Sequence, residues 1–388
     1  MPLTNVSDNM IDTGIASSKV TGAIAAVDGS ALTGLSAITK SASDPALDTN
    51  PSGGVGTVWA NTTSGEMFVC TDATAGANVW TNVGAGDGDV APFSFQGLTS
   101  GYTFGGYTPG YRTNIQKYAL ASSSDAATVA DMSVASYSGC SHKSTTHAFY
   151  TGGYQAAVYN KIASYSFAAE VDATQIGTLT EYYQNEAPSG LTSDTHAYVL
   201  QQKNGIRNYI ERYSTSGALN NSNDIGDLVH ARYGGGTCND IAAGYGYYAG
   251  GHDGSYVNNI ERFAFSSSIT AIDIGDLNAT RGTTGGASSL THGYVSGGWP
   301  LGTTASRFSF ASTANAVDWG TGLSIDRATQ GTASGTAYGY VAGGNRPEPN
   351  TGSTSKFHID RFSYASSNQG VQIGDLDVRV YGPAASQV

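Results

Sequence analysis

"THGYVSGGWPLG", residues 291–302, reads as an apolar strand that runs into a glycine pair and then into a loop carrying a tryptophan and a proline. Nearly the same phrase stands at "AYGYVAGGNRPEP" (337–349) and "GYGYYAGGHDGSY" (244–256). The frame extends upstream through "GYTFGG" (101–106), "HAFYTGG" (147–153) and "HAYVLQQ" (196–202), at a spacing of 46 to 49 residues. The third copy has Gln201-Gln202 in place of the glycine pair. A period of this length is the mark of a propeller or a solenoid.

Each copy carries the same further parts. A polar or aromatic loop follows the glycine pair, and then a strand that alternates apolar and polar residues: "IQKYAL" (115–120), "IASYSF" (162–167), "IERYST" (210–215), "IERFAF" (260–265), "ASRFSF" (305–310) and "IDRFSY" (359–364). Alternation of period two is the signature of a half-buried strand. Next comes "DIGDL" (224–228 and 273–277) or "QIGDL" (372–376), then an arginine in four copies, Arg232, Arg281, Arg327 and Arg379. A strand of small residues such as "TTGGASS" (283–289) leads back to the next glycine-pair strand. That makes four strands per repeat, with no segment of helical period.

Composition agrees with many short strands and turns. The chain has 388 residues with 52 glycines and 24 tyrosines, and only 12% are charged. The tyrosines argue against disorder. The net charge of −12 is unfavourable for a nucleic-acid backbone, and no Lys/Arg cluster offsets it. No apolar run approaches the length of a membrane span, and "MPLTNVSDNMIDTGIASSK" lacks the basic and apolar regions of a signal peptide. A soluble chain that is not exported by the usual route is expected. Cys70, Cys140 and Cys238 are odd in number and form no CxxC pair, so they are expected to be buried free thiols.

An aromatic strand, a turn with an arginine, a small-residue strand and an apolar strand ending in Gly-Gly, in this order and spacing, resembles the kelch repeat. The resemblance covers residues 93–388 and implies four-stranded blades of a β-propeller. The tryptophan usual in the fourth strand of that family is largely missing, Trp319 being the one match. Six frames imply six blades. Aligning Arg379 with Arg281 sets Val388 opposite Leu290, and aligning Tyr102 with Tyr294 sets Ser100 opposite His292. The chain therefore stops where its repeat begins, and "VRVYGPAASQ" (378–387) is expected to supply the inner strand of the blade that starts near residue 101, closing the ring.

The region before residue 93 lacks the repeat. Residues 1–40 are expected to form an attachment or oligomerisation segment. Residues 41–86 should form a small β module with a "TTSGE" hairpin and a core of Trp59, Phe68 and Trp80. Residues 87–92 are expected to be a linker, and 93–388 the propeller. "SDNMIDTGIASSKVTGAIAAVDGSALTGL" followed by "NPSGGVGTVWANTTSGEMFVCTDATAGANVWTNVG" resembles the tail fibres and related appendage proteins of tailed bacteriophages, marine ones especially. That resemblance implies a virion protein assembled in the host cytoplasm. Its N-terminal part would bind other virion proteins and trimerise, while its C-terminal domain would bind a host surface glycan or protein.

In an up-and-down blade, the loops after the glycine pairs share a face with the loops that lead into the inner strands. The N-terminal module is expected on the opposite face. The candidate receptor-binding residues are therefore Tyr107, Tyr111, Tyr154, Tyr159, Tyr209, His252, Tyr256, Trp299 and Arg346. Tyrosine and tryptophan give contact area at low entropic cost, and neighbouring amides adapt their hydrogen bonds. Turn chemistry alone also accounts for such residues.

Catalytic, metal and cofactor sites are not expected. His147, His196 and His292 occupy one repeat slot, as do Arg212, Arg262, Arg307 and Arg361, and Asp227, Asp276 and Asp375; structural bonds are expected of all of them. Glu170, Asp172, Glu181, Glu186, Asp240 and Asp253 stand off the pattern, and nothing pairs any two. No GxSxG, HExxH or phosphate loop is present. The alternatives to adhesion are a structural collar or decoration protein and a glycan-degrading enzyme with two carboxylates in a central pocket.

Overall fold

The computed structural model describes residues 38–83, 93–155, 157–158, 160–180, 189–200, 206–215, 221–266, 269–300, 302–346, 356–367 and 369–388. Every regular element among them is a β-strand. The chain divides into two compact units, Met1–Pro92 and Phe93–Val388.

The first unit holds one four-stranded sheet, Thr39–Ser41, Val58–Asn61, Met67–Asp72 and Val79–Asn82. The first pair is parallel and the others antiparallel. Phe68, Cys70 and Trp80 are buried, with Trp59 edge-on to Trp80 at 5.8 Å. The sheet thus reaches back to Thr39, inside the segment expected to serve attachment.

Among its described residues the second unit holds six antiparallel sheets of four or five strands in the expected strand order, and a two-stranded ladder of Tyr154–Gln155 with Ala157–Val158. The first joins Ala384–Gln387 to Ser100–Phe104, Asn114–Ala119 and Ala127–Asp131; the second runs Cys140–Lys143, His147–Thr151, Lys161–Ser166 and Thr174–Thr178. The third is Ser189–Thr192, His196–Leu200, Tyr209–Ser214 and Asn223–Asp227, with Ile269–Thr270 added in parallel. The fourth is Gly236–Asp240, Tyr245–Ala249, Asn259–Ala264 and Ile272–Asp276; the fifth is Gly285–Ser288, His292–Ser296, Thr304–Ser309 and Val317–Thr321. The sixth is Gly331–Ser334, Tyr338–Ala342, Lys356–Ser363 and Val371–Val380. The leading strand of each sheet packs on the leading strand of the next, and that of the sixth packs on Ala384–Gln387, which packs on Cys140–Lys143. The inner strand of the first sheet is thus shorter than expected: Arg379 and Val380 belong to the outer strand of the sixth.

The glycine pairs have a shared geometric cause. In the five described pairs both residues have positive φ, for example Gly250 at 68° and Gly251 at 117°, a region that side chains resist. The second glycine's N–H donates to the carbonyl of the segment entering the next sheet: Gly251 to Arg281, Gly298 to Arg327 and Gly344 to Val380, at 2.8 to 2.9 Å. A Cβ on Gly250 would lie 2.6 Å from that same Arg281 oxygen. Gln201-Gln202 lies outside the described residues. These bonds also correct the repeat register. Val380, not Arg379, occupies the slot of Arg281 and Arg327, and Arg379 instead lies over the Phe357 ring at 4.4 Å.

The glycine of "IGDL" faces a β-bulge. The third strand shifts register between Ile210 and Glu211 and between Ile260 and Glu261, opposite Gly226 and Gly275. The acid after the bulge turns inward. Glu261 accepts from Arg232 at 3.2 Å and Asp360 from Arg327 at 3.1 Å, all four side chains fully buried. In the fifth sheet the acid is replaced by Ser306, and Arg281 donates to the Thr304 carbonyl at 2.9 Å and hydroxyl at 3.1 Å. The repeat-aligned arginines of the third strands make structural contacts: Arg212 donates to the Ser266 carbonyl at 2.9 Å, and Arg262, Arg307 and Arg361 lie over Tyr245, Trp319 and Tyr338 at 4.6, 3.7 and 4.7 Å.

Removing one member of a buried ion pair leaves the other charge uncompensated, at about 3–5 kcal/mol. Asp360→Asn is therefore expected to lower the stability of the second unit by about 3 kcal/mol in urea unfolding. Arg281→Met, which strands no carboxylate, is expected to cost about 1 kcal/mol or less.

Candidate functional site

Five tyrosines gather where the first and second sheets meet. Tyr107 and Tyr111 come from the loop after the first glycine pair, and Tyr154 follows the second pair. Tyr137 and Tyr381 come from the segments entering the leading strands. Tyr107 lies 5.4 Å from Tyr111, 5.7 Å from Tyr137 and 5.3 Å from Tyr381 between ring centroids. Tyr137 stacks with Tyr111 at 5.9 Å and meets Tyr154 edge-on at 5.9 Å. Isolated bridges Tyr107↔Tyr381 and Tyr137↔Tyr154 fix the backbones beneath the rings. All five rings are half-buried, and burial raises the Tyr381 phenol above its ordinary pKa. Mutually packed rings that keep part of each face open form a preorganised contact surface.

The remaining candidates fall elsewhere. His252 and Tyr256 meet at 5.1 Å, with Tyr233 at 5.2 Å from His252. Tyr256 lies against Gly282, the bridge partner of Trp299. These residues form a second, smaller aromatic patch across the fourth and fifth sheets. Tyr209 opens a strand, with the Arg207 guanidinium 5.9 Å from its ring centre. Arg346 is engaged by Asp326 at 3.2 Å. Tyr159 lies outside the described residues. Tyr137, Tyr233 and Tyr381 lie outside the loops after the glycine pairs, where the sequence placed the candidates. Their signal was a shared slot in the other family of loops expected on the same face.

Tyr137 and Tyr381 immediately precede Ser138 and Gly382, which line the mouth of a cavity enclosed by the six leading strands. Its volume is about 110 Å³, and its lining is mostly glycine, serine and threonine with no carboxylate. Ser138, Thr283 and Thr329, which line the cavity, hold φ of 50° to 56°, and Gly382 beside them has a positive φ of 63°. Such a backbone costs a side-chain-bearing residue of order 1–2 kcal/mol.

Side chains tie the leading strands to one another. The backbone N–H of Lys143 donates to Thr192 Oγ1, that of Thr192 to Asn239 Oδ1, and that of Asn239 to Ser288 Oγ. Ser288 N–H donates to Ser334 Oγ, and Ser334 N–H to Gln387 Oε1. At the sixth junction stands Lys143, which cannot accept. Here the incoming segment Ser94–Gln96 crosses instead: Lys143 Nζ donates to the Ser94 carbonyl at 3.0 Å, Gln387 Nε2 to Phe95 at 2.7 Å and Gln96 Nε2 to Ser288 at 3.0 Å.

His147, His196 and His292 each bond the preceding threonine hydroxyl at 2.8 Å, in three different sheets. His142 is different. Its Nδ1 bonds the Leu191 carbonyl at 3.0 Å, its Nε2 lies 3.4 Å from Cys140 Sγ, and burial pushes its pKa down to about 4. No protein-family model matches the chain, and no curated protein matches it.

The unfolded chain protonates His142 near its ordinary pKa, while the folded protein resists until about 4. The stability this group contributes is full above pH ~6.5, declines as pH falls toward 4, and is level below that, by about 3 kcal/mol in all. Urea unfolding at pH 7 and pH 4.5 is expected to show a smaller pH dependence in His142→Gln than in the natural protein.

Proposed function

We propose that residues 93–388 form a six-bladed kelch-like β-propeller, and that the chain is a phage virion appendage, a tail fibre, that adheres to a host surface glycan or protein. The cyclic packing of leading strands, the glycine pairs and the closing strand Ala384–Gln387 support the propeller reading. The observation that carries the adhesive reading is the five-tyrosine cluster. A residue required only by the fold recurs in every repeat, but the slots of Tyr107 and Tyr381 hold Trp299 with Gly282 in the fifth sheet and Asn345 with Ala328 in the sixth. The slots are thus tyrosine-rich in only some sheets, and the five rings meet at one place in the cycle, on the loops where recognition is cheapest to vary.

The mechanism is noncovalent. Tyrosine faces would pack on a sugar ring or an apolar side chain, and their hydroxyls would bond its rim. Virion attachment and trimerisation through the N-terminal region belong to the same proposal, since weak sites gain by avidity when several are displayed together. A glycan-degrading reading is less well supported, because glycoside hydrolysis ordinarily needs two carboxylates and the cavity lining offers none.

A glycan array and host-cell binding assay on the purified protein tests the proposal. Combined substitution of Tyr107, Tyr111 and Tyr154 by alanine is expected to reduce binding at least tenfold while leaving the second unit folded by circular dichroism. Unchanged binding would overturn the assignment of this patch. A virion map with the cluster packed against another virion protein would leave a structural role instead.

A further inference from the structure

The cavity between the leading strands holds one side chain whose charge sets it apart from its equivalents. Five of the six equivalent positions carry Thr192, Asn239, Ser288, Ser334 and Gln387, neutral groups that accept a neighbour's N–H. The sixth is Lys143, 4% exposed, and it lines the cavity. Its ammonium has one carbonyl partner, Ser94, and sits 5.6 Å from the Phe93 ring centre. No carboxylate lies within ion-pair distance of it among the described residues, in a chain whose net charge is −12. A buried cation without a counter-charge is costly unless it is paired or neutralised.

We propose that the cavity is a binding site for a small inorganic anion, of halide to small-oxyanion size, held by the Lys143 ammonium. The volume of about 110 Å³ is several times what one water needs, room for a small hydrated anion. Asn239, whose Oδ1 is used by Thr192, adds an amide N–H₂ group to the lining. Ser94–Gln96 crosses the end of the cavity beside Lys143, so the anion enters from the opposite end, inside the hydrogen-bonded ring that includes Ser138, Gly382, Thr329 and Thr283. Burial lowers the Lys143 pKa to about 8, so the charge that holds the anion is present below that pH and lost above it. The other titratable groups of the lining, Cys140 and His142, face each other and the Leu191 carbonyl, and both are neutral near pH 7.

The test is a crystal of the full chain grown at pH 6.5 and soaked in sodium bromide, read by bromine anomalous scattering. An anomalous peak within hydrogen-bonding distance of Lys143 Nζ is expected. In parallel, bromide should raise Tm more than the sodium salt of a bulky sulfonate at equal ionic strength, and the difference should vanish at pH 9.5 and in Lys143→Met. No peak in the cavity, or an equal rise in Lys143→Met, would overturn the proposal. If Lys143→Met does not fold, the anomalous map and the pH dependence of the natural protein decide it alone. None of these readouts involves the tyrosine cluster or a receptor.

Discussion

A four-stranded sheet has two edges, and in the second unit one edge of every sheet is turned toward its neighbours' edges around a common cavity. An edge strand presents backbone N–H and C=O groups with no ladder to join, and burying them unpaired would cost more than the packing gains. The belt of side chains running from Lys143 through Thr192, Asn239, Ser288 and Ser334 to Gln387 resolves this conflict. A second set of hydroxyls does the same for the carbonyls. Thr237 donates to Gly190 and Thr332 to Gly286, at 2.9 and 2.7 Å, and Ser141 donates to Ala385. Donors and small residues alternate around the cavity because a Cβ at Gly190 would come within 2.7 Å of the Ser141 oxygen.

From that constraint the rest of the repeat follows. Sheets held this close at their leading strands must splay toward their outer strands, which calls for strong twist. The bulge in each third strand supplies it, and the glycine opposite lets the adjoining loop approach: Gly226 lies under Ile269 and Gly275 under Ala314 and Asn315. The aromatic residues of the second and third strands fill the widening gap, as where Tyr294 stacks on Tyr364 at 4.6 Å between the fifth and sixth sheets. Arginines of the third strands then lie over aromatic rings near the rim, contributing contact without a buried carboxylate.

Much of this was legible because it is written at short range. Alternation in "IERFAF" and the Gly-Gly at 250–251 and 297–298 declare strands and chain reversals within a few residues. What was not legible depends on neighbours on other segments, as far apart in the chain as Tyr107 and Tyr381. The partners of Tyr137 and Tyr381 lie on different strands, so their meeting with Tyr107 is invisible in any one window. The one-residue slip that set Arg379 where Val380 belongs arose because the local string "DVRVYG" contains an arginine next to the true slot, and only the Gly344 bond distinguishes them. That Arg262, Arg307 and Arg361 would find an aromatic ring rather than an acid was equally hidden. Sequence shows the charge, but the ring beneath it comes from another strand.

Ser94–Gln96 bonds Lys143 of the second sheet on one side and Ser288 of the fifth on the other, three places apart in a cycle of six. The chain therefore joins the second unit at its centre rather than at its perimeter. A pull on the backbone before Phe93 would be shared among opposed sheets at once. The same pull applied at an outer strand would peel one hydrogen bond at a time. The placement of three residues thus spreads a load from the preceding chain over several sheets instead of one strand.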